Sequence, residues 1–388
     1  MNEDLKILLV GKETPSRDLM SEIMKEIPGT SVTEPAATPR MALARLRGGP
    51  VDMLLLDLES LAKPNILEMM KKIRTNHPDA DVVIVARVTE NRVDEIVEAL
   101  EMGAADFVPK PVIANENSIR EFRLRLLTLI GLLGSRRNFR MAARMNSQAG
   151  HVAASLAGSR AKGGDALGQK KTASGSEVRS CSEKPRGIPG KIDVVAIAVS
   201  TGGPNALAEV IPRLPLSLDV PVLIVQHIPA SFTAPLANSL NLKSLFSVKE
   251  ARDGERVLPN IAYIASGGQH MVVRKEKDAG ELYGQKRIRL LDTPPENSVR
   301  PSADVLFRSL PDAYEWGILL VIMTGMGHDG TKGVRHMKCR GSHYCLSQTA
   351  ETCTVYGMPR SVDEAGLSDE KVPLSLLAER ITHIVQGG

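Results

Sequence analysis

The sequence predicts an α/β protein built from two doubly wound parallel sheets. Three observations carry that reading. Short apolar runs alternate with helical patterns over residues 5 to about 132, the alternation resumes at Asp193, and the stretch between the two has neither. A chain of 388 residues is long enough for more than one core. The expected division is a first domain over 1–133, a flexible basic linker over 134–190 and a second domain over 191–388.

In the first domain the strands are "LKILLV" (5–10), a weaker one at 32–34, "VDMLLLD" (51–57), "DVVIVA" (81–86) and "DFVPK" (106–110), with helices such as "RVDEIVEALEMG" between them. Runs of this length that are apolar on both faces are read as strands covered by helices on either side. From Gly134 to about Lys191, Gly, Ser, Ala, Lys and Arg dominate, a composition that cannot bury enough apolar area to order itself and is read as a solvated tether. The second domain contributes "VVAIAVS", "VPVLIVQH", "IAYIAS" and "GILLVIMT". "MVVRKEKDAGELYGQKRIRLLD" alternates instead, around Asp278-Ala279-Gly280, and is expected to be an antiparallel hairpin on the domain's edge.

Composition narrows the function classes. Apolar residues are 43% and charged residues 24%, as in globular proteins, and no apolar stretch reaches the roughly 18 residues that span a bilayer. The N-terminus runs from charge straight into a strand, without the pattern of a secretory leader, so a cytoplasmic protein is expected. A net charge of +4 with 3% aromatics gives no footprint for nucleic acid. Cys181, Cys339, Cys345 and Cys353 form no Cys-x-x-Cys pair, so neither a zinc site nor a disulfide framework is expected, and no cofactor is implied.

The chemistry lies at strand ends. Ser200 follows "VVAIAV", His227 follows "VPVLIVQ", and Asp329 sits in "MTGMGHDG" after the last apolar run. Parallel strands finish at one edge of a sheet, so three distant residues arrive at one crevice. A serine hydroxyl becomes a nucleophile when an imidazole takes its proton, and the imidazole needs a carboxylate to fix its tautomer. Gly202 and Gly203 allow close approach to a ligand, Pro204 opens a helix, and amides there and in Gly325-Met326-Gly327 are candidate oxyanion donors. Spacing alone leaves His270 open as the base. It also leaves open a phosphate cradle in "STGGP", although that stretch is neither a dinucleotide fingerprint nor a Walker sequence.

"AVSTGGP", "QHIPASFTAPLANSLN", "ARDGERVLPNIAYIASGGQHM", "NSVRPSADVLFRSL", "MTGMGHDGTKG" and "VYGMPRSVDEAG" resemble, in order, the catalytic-domain motifs of the bacterial chemotaxis protein-glutamate methylesterases. The resemblance implies a Rossmann-like three-layer esterase domain that hydrolyses methyl esters of glutamates on the cytoplasmic helices of methyl-accepting chemoreceptors and in many members deamidates glutamines. It places the nucleophile on Ser200, the base on His227 and the orienting acid on Asp329, with Thr201 and Met326 beside them. A chemotaxis histidine kinase is a further expected partner, and a receptor-binding adaptor without turnover is the alternative reading. "CLSQTAETC" (345–353) departs from the family, with an extra residue between Gly341 and Gln348.

Residues 5–132 are similar to the receiver domain of response regulators. That similarity places the phosphoacceptor at Asp57 and the receiver lysine at Lys110. The departures are Gly11 and Lys12 where an acidic pair holds Mg²⁺, and Ala86 where a Ser or Thr stands. Such a site is expected to be a poor phosphoacceptor, because the metal stabilises the charge that builds up in phosphoryl transfer. Lys12 is expected either to take the metal's place beside Asp57 or to point into solvent.

Overall fold

The computed structural model describes residues 4–61, 63–113, 115–156, 187–276, 284–340 and 343–387. In the first domain β1 (Leu5–Val10), β2 (Thr30–Val32), β3 (Met53–Asp57), β4 (Asp81–Ala86) and β5 (Asp106–Pro109) alternate with α1 (Pro15–Lys25), α2 (Pro39–Gly48), α3 (Lys63–Asn76), α4 (Glu90–Glu101) and α5 (Glu116–Leu156). All strand pairs are parallel, in the order β2-β1-β3-β4-β5. Thr14 and Thr38 cap α1 and α2, accepting from Arg17 N and Met41 N, and each is followed by the proline that suits a first helical turn. The strand order reverses between β1 and β3, so the crevice of this sheet lies at the end of β3, where Asp57 sits.

The linker boundary is corrected. Helix α5 continues to Leu156, so residues 134–156 are helical. Arg136 and Arg137 fold back onto Asp81 at 3.0 Å and Asp52 at 2.8 Å, tying the start of the extension to the sheet. "RRNFRMAARM" is rich in Arg, Ala and Met, which favour helix, and this outweighs the flanking small residues. The remainder of the expected tether, 157–186, lies outside the described residues, as does Cys181.

The second domain comprises β6 (Ile192–Val199), α6 (Gly203–Val210), β7 (Val222–Gln226), α7 (Ala230–Lys243), β8 (Ser247–Glu250), β9 (Ile261–Ile264), β10 (His270–Glu276), β11 (Gln285–Leu291), α8 (Ala303–Ala313), β12 (Gly317–Ile322), α9 (Thr331–Arg340), β13 (His343–Gln348), α10 (Met358–Glu364), β14 (Glu370–Val372) and α11 (Leu374–Val385). Seven strands form a wholly parallel sheet in the order β14-β13-β12-β6-β7-β9-β8. The hairpin is present but does not extend that sheet. β10 and β11 pair with each other as a separate ribbon, which packs on α8 through Val273 N and the Ser309 hydroxyl at 3.0 Å. Its turn, with Asp278-Ala279-Gly280, falls outside the described residues.

One apolar cluster runs through both domains, from Leu8 and Ile84 in the first to Leu207 and Phe232 in the second. At the junction the Phe107 and Phe232 rings lie 5.2 Å apart, tilted by 39°. Around them Glu101 accepts from Ser239 Oγ at 2.6 Å and Lys243 Nζ at 2.5 Å, and Asp106 accepts from Thr201 Oγ1 at 2.7 Å. Because Phe232 is fully buried, Phe232→Ala is expected to cost about 3–5 kcal/mol. Urea unfolding followed by fluorescence of Trp316, the single tryptophan, should show it as an earlier transition of the second domain.

Candidate active site

The seven-stranded sheet reverses its winding between β6 and β12, and the loops that leave these strands carry Ser200 and the 324–329 turn. Val199 is in register with Gln226, so Ser200 and His227, the next residues, are cross-strand neighbours about 5 Å apart at the backbone. His227 N bonds Val199 O at 3.1 Å and holds that register to the end of the strands. Gly202 takes φ 77°, which turns the chain sharply from β6 into α6. A Cβ on Gly203 would stand 1.9 Å from Gln226 Oε1 and 2.9 Å from Val199 Cγ2, so any larger residue there would displace side chains of β6 and β7. Thr324 Oγ1 donates to Thr201 O at 2.9 Å and pins the turn from the β12 side.

Asp329 is buried and saturated with donors. Oδ2 accepts from His227 Nε2 at 2.8 Å and Ala303 N at 2.6 Å, and Oδ1 from Ser302 Oγ at 2.6 Å, Asn297 Nδ2 at 2.9 Å and Asp304 N at 3.2 Å. Burial alone would push this carboxyl up, but the bonds from His227, Ser302 and Ala303 outweigh burial and hold it well below the usual carboxylate range. Two of the donors are free N–H groups on the first turn of α8, where the helix dipole also favours a negative charge.

A carboxylate only accepts, so the bond to Asp329 assigns the ring proton of His227 to Nε2 and leaves Nδ1 as the acceptor. Ser200 and His227 line one cavity of about 760 Å³, with Thr201 and Met326 also in its wall. No hydrogen bond joins the Ser200 hydroxyl to His227 among the described residues; catalytic bonds of this kind are often long before substrate binds. The backbone N–H groups of Thr201 and Met326 have no protein acceptor among the described residues and remain available to a ligand. His270 is fully buried, with Nδ1 accepting from Ser302 N at 3.1 Å and Nε2 facing Pro294 O at 3.1 Å, so both nitrogens are committed to backbone and it is no base. Ser302, Asn297 and Asp304 escaped the sequence reading, although "NSVRPSAD" contains all three. Their only signal was a serine and an acid at the start of a helix.

The CheB methylesterase family matches residues 195–381, and the response regulator receiver domain matches residues 7–121. A protein-glutamate methylesterase/protein-glutamine glutaminase of Desulfotalea psychrophila is 36% identical over 385 residues, 99% of each chain. The chain belongs to the protein-glutamate methylesterase family. A relative of the same description from Bacillus licheniformis is 35% identical over 366 residues, covering 94% of each chain. The crystal structure of the Thermotoga maritima CheB methylesterase catalytic domain is 37% identical, with a TM-score of 0.47, covering 50% of this chain and all of that one. The response regulator domain of the same organism's CheB is 26% identical, with a TM-score of 0.29, over 33% of this chain and 94% of that one.

The first domain holds a buried ionic site at the end of β3. Asp57 and Lys110 are buried and bonded at 2.8 Å through Oδ2 and Nζ, and Lys110 also reaches Glu59 Oε2 at 3.1 Å. Asp57 Oδ1 accepts from Glu59 N at 3.0 Å, and Arg87 pairs with Glu59 from outside at 3.0 Å. Burial works against the charged form of Glu59, but Lys110 and Arg87 more than offset it, so the carboxyl lies below its usual range. Lys12 is exposed and makes no ion pair with Asp57, so of the two expectations the solvent-facing one holds. These residues do not fit Mg²⁺. The positions that would add carboxylates are Gly11 and Lys12, the Asp57 carboxylate already faces an ammonium, and no cluster of three metal-ligating side chains occurs among the described residues.

Of residues 341–353, which contain the departing stretch, the pair Gly341–Ser342 lies outside the described residues. Beyond it Gln348 is buried and buttresses the site, accepting from Thr324 N at 2.8 Å and donating to Thr352 O at 2.8 Å. Cys345 and Cys353 are buried thiols outside any disulfide among the described residues, and Cys339 is exposed on α9. Incubation of the full chain with a small phosphodonor and Mg²⁺ is expected to leave its intact mass unchanged. A phosphoryl group found on Asp57 would contradict the misfit of metal and site.

Proposed function

We propose that the chain is a serine hydrolase that removes methyl esters from glutamate side chains, and amides from glutamine side chains, on the cytoplasmic helices of chemoreceptors. The observation that carries this reading is the His227–Asp329 bond of 2.8 Å, set beside a serine in register on the neighbouring strand and opening on one cavity. Ser200 Oγ attacks the ester carbonyl carbon while its proton passes to His227 Nδ1. Asp329 stabilises the imidazolium that forms and holds its ring. The oxyanion of the tetrahedral intermediate is met by the free N–H groups of Thr201 and Met326. When the intermediate collapses, the C–O bond to the methoxy group breaks and the imidazolium returns its proton to release methanol. Water then attacks the acyl-serine with His227 again as base, freeing the glutamate carboxylate. A glutamine substrate follows the same course with ammonia as the first product.

No cofactor enters this sequence. No helix among the described residues is long and apolar enough to cross a membrane, which accords with action in the cytoplasm on the soluble ends of receptors. A histidine kinase of the same signalling system would be the natural partner of a receiver-like domain, although the Asp57 site is poorly equipped for phosphoryl transfer.

The first domain is read as regulatory. Its α5 residues Leu124, Arg125 and Thr128 line the cavity that holds Ser200, and Asp106 bonds the residue that follows the nucleophile. In this arrangement it narrows access to the crevice.

Ser200→Ala is expected to lower methanol release from a methylated receptor by on the order of 10⁴-fold or more; near-normal release would remove Ser200 from its role. Glu101→Lys puts a cation against Lys243 at the domain junction and is expected to raise methanol release by the full chain several-fold. An unchanged rate would argue against restraint by the first domain.

A further inference from the structure

A second carboxylate lies behind Asp329. Asp304, on the first turn of α8, is fully buried, with Oδ1 accepting from Gly333 N in α9 at 2.6 Å and Oδ2 from Asn297 Nδ2 at 2.8 Å. The same Asn297 nitrogen donates to Asp329 Oδ1 at 2.9 Å. A primary amide has two hydrogens, and here one goes to each acid. The backbone repeats the exchange. Asp329, which precedes α9, accepts from the first N–H groups of α8, while Asp304, in α8, accepts from the first turn of α9.

Such a pair is costly to keep. Burial raises the Asp304 carboxyl above its usual range and the charge of Asp329 adds to this, against the pull of the Gly333 and Asn297 bonds. Asn297 itself stands at φ 54°, a conformation that few residues other than glycine adopt, asparagine among the more tolerant. Its amide has only one sensible orientation, because a flip would aim Oδ1 at two acids; as it stands Oδ1 faces Lys332 Nζ at 3.5 Å. The need for this arrangement follows from the acid. A carboxylate turns readily about its last side-chain torsion, which is broad and two-fold. Donors on both oxygens remove that freedom, and on Oδ1 the Asn297 amide joins Ser302 Oγ and Asp304 N, tying the acid to a second carboxylate as well.

We propose that Asn297 and Asp304 are positioning residues for hydrolysis: Asp304 orients the Asn297 amide, which locks the Asp329 carboxylate in the plane that meets His227 Nε2 and leaves Nδ1 turned to Ser200. The inference rests on the hydrolase reading above. Asn297 also lines the cavity that holds Ser200, and the role assigned to it is exercised through Asp329 rather than by contact with substrate. A small misplacement of reacting groups is enough to cost about 100-fold in rate, so a loosened acid should register in turnover rather than in binding.

Two variants of the full chain test it. Asn297→Gly keeps the backbone conformation accessible and deletes the amide; Asp304→Asn preserves shape and removes one acceptor. Both are expected to lower kcat on a methylated receptor fragment by about 10–100-fold with KM little changed. The ¹⁵N spectrum of His227, assigned with His227→Gln, is expected to pass from one fixed tautomer protonated at Nε2 to an average of two. Wild-type kcat and an unaltered His227 spectrum would overturn the proposal, as would a fall in kcat with the tautomer still fixed, which is what mere structural support would give. Should one variant unfold early by Trp316 fluorescence, the other carries the test. The two failures are separable: turnover that survives Ser200→Ala sinks the hydrolase reading, whereas an unchanged His227 spectrum in these variants sinks this inference alone.

Discussion

A carboxylate kept ionised in a dry interior is the constraint on which the rest of the second domain depends. Removing such a group from water costs several kcal/mol unless hydrogen bonds replace its hydration. Asp329 is met by His227, Ser302, Asn297 and two backbone N–H groups of α8. Those donors come from the end of β7, from the 294–302 loop and from a helix N-terminus, so the charge cannot be stabilised until all three are assembled. Asp329 is thus also the fastener of the fold around it. The ring it holds through Nε2 keeps Nδ1 without a protein partner among the described residues.

Both domains use the same geometry, a crevice where a parallel sheet reverses its winding, and they fill it with opposite chemistry. In the second domain the groups at the strand ends are complementary and left partly open: an imidazole with an unused acceptor, a hydroxyl, and backbone N–H groups without acceptors among the described residues. In the first, the crevice is electrostatically closed. The ammonium of Lys110 lies between Asp57 and Glu59, and Arg87 covers Glu59 from outside. Gly11 and Lys12 supply no carboxylate to attract a divalent ion. The difference lies in the side chains at the strand ends of two sheets that share this crevice and differ in strand number and order, which is why fold and function must be argued separately.

Apolar runs such as "LKILLV" and "GILLVIMT" were legible because a strand buried on both faces must be continuous in hydrophobicity. The strands not foreseen fail that rule for identifiable reasons. "HYCLSQ" is wholly buried, yet it carries polar residues such as Ser347 and Gln348, whose side-chain bonds no periodicity displays, as Ser347 Oγ makes to Asp363 at 2.7 Å and Gln348 Nε2 to Thr352 O at 2.8 Å. "SVKE" and "EKV" lie at the two ends of the sheet, where one side faces solvent. Continuation of α5 beyond Gly134 was masked by glycine and serine, although helix formers surround them. Ser200, His227 and Asp329 were legible as strand-end residues. Ser302, Asn297 and Asp304 were not, because their roles exist only relative to a carboxylate that approaches from a distant loop.

The junction between the domains combines one aromatic contact with polar bonds that are individually easy to exchange with water. Phe107 and Phe232 supply the apolar part. Glu101 is buried and bonded through Oε2 to Ser239 and Lys243, but its Oε1 has no partner among the described residues. An unsatisfied buried oxygen costs about 1–3 kcal/mol, a penalty that separation of the domains would remove by hydrating it. An interface selected only for permanence would place an apolar side chain there. Contacts within a chain that resemble transient interfaces permit relative motion of the domains they join. The cavity holding Ser200 is walled on one side by α5 of the first domain, so separation of the domains at this junction also widens access to Ser200.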